Sequence, residues 1–152
     1  ALQTLELQVE SEVLVPIGGA AELLQECRFL SNQGIVFVSD MYLPPLFIQG
    51  VLKRHDLFRS SDRLYVSGEL GVTKGSGRLF RLLLDQLAVQ PSDLIHYGDN
   101  RHADYLVPHA LGIGILKEPL PGGGRSARLV ARLRYLRELL MARACIAGYG
   151  HV

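Results

Sequence analysis

Four short apolar runs separated by helix-length segments predict an α/β fold, a Rossmann-like parallel sheet in three layers. The run Ile35-Val-Phe-Val38 is continuously apolar rather than alternating, as a strand buried on both faces must be. Each run stops at a Gly, Ser or Asp turn and gives way to a segment with apolar residues at helical spacing, the signature of βαβ units. At 152 residues, with 48% hydrophobic and 20% charged, the chain has the length and balance of one globular domain and not of a disordered tail.

Residues 1–12 read as the end of a helix, with Leu2, Leu5 and Val9 on one face, broken by Pro16 and Gly18-Gly19. Residues 20–31 carry Leu23, Leu24, Cys27 and Leu30 at helical spacing, closed by Gln33-Gly34. The first strand, 35–38, ends at Ser39-Asp40. Pro44-Pro45 opens the next helix, with Phe47, Ile48, Val51 and Leu52 inside and His55-Asp56 at its end. Residues 64–66 form a short second strand. Residues 74–87 read as a helix starting at Lys74, with Leu79, Leu82, Leu83 and Leu87 on its apolar face. Residues 94–97 make the third strand, 103–111 a short helix and 112–116 the fourth strand.

Beyond that point the chain changes character. Residues 1–116 hold nine Lys/Arg against thirteen Asp/Glu, whereas residues 117–152 hold seven against two, so −4 is followed by +5. Residues 125–146 repeat Leu129, Leu133, Leu136 and Leu140 as one stripe with arginines elsewhere, a basic amphipathic helix. Docking of that stripe on this domain or on a neighbour outranks membrane-surface contact, and nothing in it speaks for nucleic acid. The expected organisation is 1–12, 13–116 and 117–152.

No apolar run approaches the roughly 18 residues that span a bilayer, and the first residues carry no secretory signal. Cys27 and Cys145 share no spacing with a His pair and make no disulfide framework. Both read as small apolar residues in a reducing, cytoplasmic compartment.

In open parallel sheets, ligands bind outside the carboxyl ends of the strands. Ser39 and Asp40 follow the first strand there, Gly98, Asp99, Asn100 and Asp104 follow the third, and the second leads to Lys74. A hydroxyl, an ammonium and a pair of carboxylates on one rim suit phosphoryl transfer, which needs positioning and charge around the phosphoryl oxygens. Ser39 can donate to a phosphoryl oxygen, Lys74 supplies a point charge, and Asp99 offers a hard oxygen to Mg²⁺ with Asp104 in support. Ser39, Asp40 and Lys74 are thus the expected phosphate-binding set, with Asp99 and Asp104 on the metal.

In order, Ser39, Lys74 and Gly98-Asp99-x4-Asp104 resemble the second to fourth motifs of the haloacid dehalogenase (HAD) superfamily. The strings "VFVSDMYLPP", "LYVSGELGVTKGSGRLF" and "HYGDNRHAD" resemble a narrower bacterial group, HAD-like hydrolase domains fused to or encoded beside glycosyltransferases of surface-polysaccharide synthesis. The resemblance covers roughly residues 1–116. It implies a Mg²⁺-dependent phosphatase acting on a phosphorylated small molecule such as a sugar phosphate, with a glycosyltransferase as possible neighbour. It also implies that Ser39 and Lys74 are catalytic. The family's first motif, Asp-x-Asp, is missing: the aspartates are 40, 56, 62, 85, 93, 99 and 104, and no two lie two apart. The resemblance therefore implies a module that starts inside a helical cap, lacks its nucleophile and is inactive alone.

Blander readings compete. Aspartate after a strand is commonly a cap or turn residue, and an early helical Asp104 also complements the helix dipole. His96 reads as a hydrogen-bonded core histidine and His102 as a solvated loop residue, while Tyr42 and Arg101 are candidates to shape a pocket. A non-catalytic scaffold that grips a glycosyltransferase through the leucine stripe is the alternative function. A phospho-acceptor receiver domain fits poorly, because here the metal aspartate comes last.

Overall fold

The computed structural model describes residues 2–31 and 34–116, so the basic segment with its Leu129–Leu140 stripe lies outside the described residues. The fold is mixed α/β with parallel strand pairing. Strand β1 (Val36–Ser39) pairs with β2 (Arg63–Val66), Val36 opposite Arg63 and Ser39 opposite Val66. Strand β3 (Ile95–His96) pairs in parallel with β4 (Gly114–Ile115). All four expected strands are present, but they form two separate pairs rather than one sheet. The second pair is only two residues deep; Gly98 lies two residues past β3, and Gly112, at φ +87°, two residues before β4.

Alternation along the first pair sorts its two faces. Val36, Val38 and Tyr65 pack with Leu79, Leu83 and Leu87 of α5 (Arg78–Leu87), while Leu82 is partly buried against the same cluster. Leu64 and Val66 face the other way, onto Leu43 and onto Phe47, Ile48 and Leu52 of α3 (Pro45–Arg54). Each face of the β1–β2 pair thus carries a helix.

After the one-turn helix α4 (Ser67–Leu70), helix α5 starts four residues later than the sequence suggests. Residues 73–77 form a turn in which the Ser76 hydroxyl donates to the Thr73 carbonyl, and Gly77, at φ +73°, caps the helix. Lys74 consequently sits in this turn and not among helix-start amides.

Helix α1 (Leu2–Val13) is present as the spacing suggests, and the structure shows which side of it docks. Leu7, with Leu14 just beyond the helix, packs on the α3 side of the core, and Arg54 donates to the Ser11 hydroxyl. Leu5 and Val9, which share a face as the spacing suggests, are 57% and 51% exposed. Helix α2 (Ala20–Leu30) is fastened by Arg28, whose guanidinium meets the Asp62 carboxylate at 2.5 and 2.6 Å and donates to the Leu57 carbonyl. Asp62 also accepts the Ile35 and Arg59 amides at 2.8 Å, so one fully buried carboxylate ties α2 to the entrances of β1 and β2. Among the described residues, no helix is long and apolar enough to cross a membrane.

Candidate functional site

The carboxyl ends of β1 and β3 are linked through the 73–77 turn. Asp40, the residue after β1, accepts the Lys74 backbone amide at 2.9 and 3.2 Å. The Lys74 side chain then reaches across to Asp104, with Nζ 2.5 Å from Oδ1. Asp40 therefore spends its carboxylate on placing Lys74, and a negative group there serves the loop rather than an anionic ligand.

Asp104 sits in a widened, π-type helical turn, Arg101–Leu106, that runs into α6 (Val107–Ala110). Asn100 starts this turn, its side-chain oxygen accepting the His102 and Ala103 amides at 3.0 and 2.9 Å. Asp104 returns the contact by accepting the Asn100 amide at 3.1 Å. Its other oxygen also meets His96 Nε2 at 2.8 Å. Gly98 is required beneath it, because a Cβ there would overlap the Asp104 carboxyl carbon.

Burial pushes the Asp104 carboxyl up, but hydrogen bonds from Lys74 and His96, the Asn100 amide and the Lys74 charge outweigh it, so Asp104 titrates below its ordinary value. Burial holds His96 below its ordinary value, and the Asp104 contact only partly offsets that. The neutral ring therefore donates its Nε2–H to the carboxylate, and it packs edge to face with Phe80, the ring centroids 5.0 Å apart. His96 is thus the hydrogen-bonded core histidine expected from its place inside a strand.

The structure brings Asp40, Lys74 and Asp104 into one connected chain of contacts, with Ser39 as the last residue of β1 beside Val66. Asp99 follows Gly98 on the same rim, is exposed, and has no hydrogen-bond partner among the described residues. Lys74 commits one of its three N–H donors to Asp104, which leaves others for an anion at the rim.

For Mg²⁺, these residues supply only a share of a shell. Both Asp104 oxygens are already engaged, Asp99 offers one carboxylate, and the described residues contain no cluster of three His, Cys, Asp or Glu able to hold a metal.

Tyr42 is exposed and donates to Glu6, and Arg101 is exposed on the π-type turn. His102 does more than a solvated loop residue, its Nε2 lying 3.2 Å from the Gly75 carbonyl and joining the β3 loop to the Lys74 turn. Sequence reasoning gave no role to Asn100 as organiser of the Asp104 turn. The signal was present, since Asn directly before a helical segment is a favoured cap.

Compared with known proteins, the chain matches no family model and no curated protein.

Proposed function

We propose that the chain is the carboxyl-terminal share of a HAD-type phosphohydrolase core, Rossmann-like and three-layered when complete, and inactive by itself. The observation that carries this reading is the Asp40–Lys74–Asp104 linkage, which holds one lysine between the ends of two parallel strand pairs. Two carboxylates engage that residue, Asp40 at its backbone amide and Asp104 at its ammonium. Here the two fix its backbone and its head group separately, as a positioned phosphate ligand requires.

In this reading Ser39 and Lys74 donate to the phosphoryl oxygens of a phosphorylated small molecule, with sugar phosphates the favoured class. Asp99 is the Mg²⁺ ligand, and Asp104 stands behind it as the support for Lys74. The attacking group is an aspartate this chain does not supply. Strands β1 and β3 each pair on one edge only among the described residues. A further parallel strand between them would join the pairs into one sheet and bring its own carboxyl end to the Lys74 and Asp99 rim. There its aspartate would displace the leaving alcohol from phosphorus, and water would then cleave the acyl phosphate. The half-buried thiol of Cys27 and the lack of a membrane-crossing helix among the described residues support a cytoplasmic setting.

The test is phosphate release from sugar phosphates and an aryl phosphate, with and without Mg²⁺. The expected result is release no faster than the buffer blank. Mg²⁺-dependent turnover that Asp99→Asn abolishes would overturn the claim that the nucleophile is missing.

A further inference from the structure

Tyr42 stands beside the rim without a role in phosphate or metal binding. It is 67% exposed, yet its placement is tightly set. Two residues before it, Asp40 accepts the Lys74 amide, so the Tyr42 Cα lies within about 7 Å of the Asp40 Cα, the reach of two peptide units. The intervening Met41 carbonyl accepts the Gly68 amide at 3.0 Å and the Ser67 hydroxyl at 3.3 Å, both from α4 just past β2. Gly68 packs so closely that a Cβ there would come within 2.8 Å of the Tyr42 Cα. On the other side Leu43 is buried in the core, and Pro44-Pro45 stiffens the chain into α3. Tyr42 is thus fixed at the carboxyl ends of β1 and β2, next to the Lys74 turn.

The side chain is held as well. Its hydroxyl donates to Glu6 Oε1 at 2.8 Å, which ties it to α1. That bond, with the charges of Glu6 and Glu10, raises the hydroxyl above its ordinary value and keeps it a donor. A tyrosine anchored at both ends, with most of its surface still in water, is a contact surface ordered before any ligand arrives. Ordering it costs little, because tyrosine has only two side-chain torsions to fix.

We propose that Tyr42 is the platform for the organic part of the substrate, stacking on the apolar face of a sugar ring whose phosphate is held by Ser39 and Lys74. The proposal rests on the phosphohydrolase reading and assigns the residue that contacts the sugar. The face of an aromatic ring carries partial negative charge and is apolar, which suits the C–H face of a sugar. The neighbours suit the same ligand. Glu6 keeps a second carboxylate oxygen with no partner among the described residues, an acceptor for a sugar hydroxyl. With Glu10 it also repels a second anionic group, which favours a sugar monophosphate over a nucleoside diphosphate.

The test is NMR titration of the full chain in Mg²⁺ with inorganic phosphate, glucose 6-phosphate and uridine monophosphate in turn, the α5 amides serving as a folding control. Glucose 6-phosphate is expected to bind about fivefold tighter than inorganic phosphate and to shift the Tyr42 ring signals. Tyr42→Ala should bring that ratio close to one with the α5 amides in place. Tyr42→Phe, which keeps the ring without the Glu6 contact, should fall between. A ratio near one in the unaltered chain, or one that Tyr42→Ala leaves intact, would overturn the platform while the phosphate site stands. Uridine monophosphate binding tighter than the sugar phosphate, with that gain lost in Tyr42→Ala, would overturn the sugar in favour of a base. No rim response to inorganic phosphate would overturn the phosphohydrolase reading, and this inference with it.

Discussion

Lys74 Nζ lies 2.5 Å from Asp104 Oδ1, the two side chains being 13% and 3% exposed, so a residue of the 73–77 turn is paired inside the domain with one from the β3 loop. Removing one member strands the other's charge in a poorly solvated site. Asp104→Leu is expected to cost about 3–5 kcal/mol in urea unfolding. The Lys74→Met, Asp104→Leu double variant should lose less than the sum of the singles, since no orphan charge remains. Additive losses would mean that the pair does not interact.

Gly98 supports that pair from below. A methyl group there collides with Asp104, which cannot swing away because Lys74, His96 and Asn100 hold it. Gly98→Ala should therefore destabilise by about 1–3 kcal/mol, far more than the same change at Gly50, where a Cβ meets nothing within 4 Å. Equal stabilities by denaturant titration would contradict the packing described.

At the opposite, amino-terminal edge of β1 and β2, Asp62 holds four donors and Arg28 is its charge partner. Arg28→Met is expected to cost about 3–5 kcal/mol by leaving a buried carboxylate uncompensated. Asp62→Asn should rescue only part of that loss in the Arg28→Met background: it removes the orphan charge, but its single oxygen can accept only one of the Ile35 and Arg59 amides, which now reach separate oxygens.

Acid should unfold the domain in two stages. His96 titrates below its ordinary 6.5 in the folded state, so between those two values the unfolded chain takes up a proton that the folded chain refuses. Its contribution is complete above about 6.5 and is lost as the pH falls from there towards the folded value. Asp62 and Asp104 titrate below their ordinary 3.8, despite burial, because of Arg28, Lys74, His96 and backbone donors. Their contribution is full above that value and disappears as pH falls through the folded ones. Urea midpoints measured from pH 8 to 3 should show a shallow decline, then a steep one. His96→Gln should remove the shallow part, and because it also alters one of the hydrogen bonds that hold Asp104 down, the steep part should keep its size or begin at slightly higher pH.

The strands and the outer helices were legible because apolar period and Gly/Pro punctuation are local signals. Helix α5 was read four residues too long, although Gly75 and Gly77 flanking Ser76 already marked a turn. On α1 the period located a stripe but not the side of it that docks: Leu7 and Leu14 won the core, and Leu5 and Val9 were left outside. The separation into two strand pairs was not legible, since strand order is set by contacts between distant segments. Asp62 went unnoticed for the same reason, as its charge partner stands 34 residues away in the chain. That Ser39, Lys74, Asp99 and Asp104 follow strand ends could be read from order along the chain, whereas the contacts of Asp40 and Asn100 needed coordinates, because each acts on a backbone amide.

The claim that this rim binds a phosphoryl group beside a metal is tested most directly by NMR titration of the chain with Mg²⁺ and inorganic phosphate. The amides of Ser39, Lys74 and Asp99 should shift together at about millimolar concentrations, the weak range expected of one or two carboxylates with water completing the shell. Asp99→Asn should abolish the Mg²⁺ response. Shifts confined to other residues, or a rim response that Asp99→Asn leaves intact, would contradict the assignment.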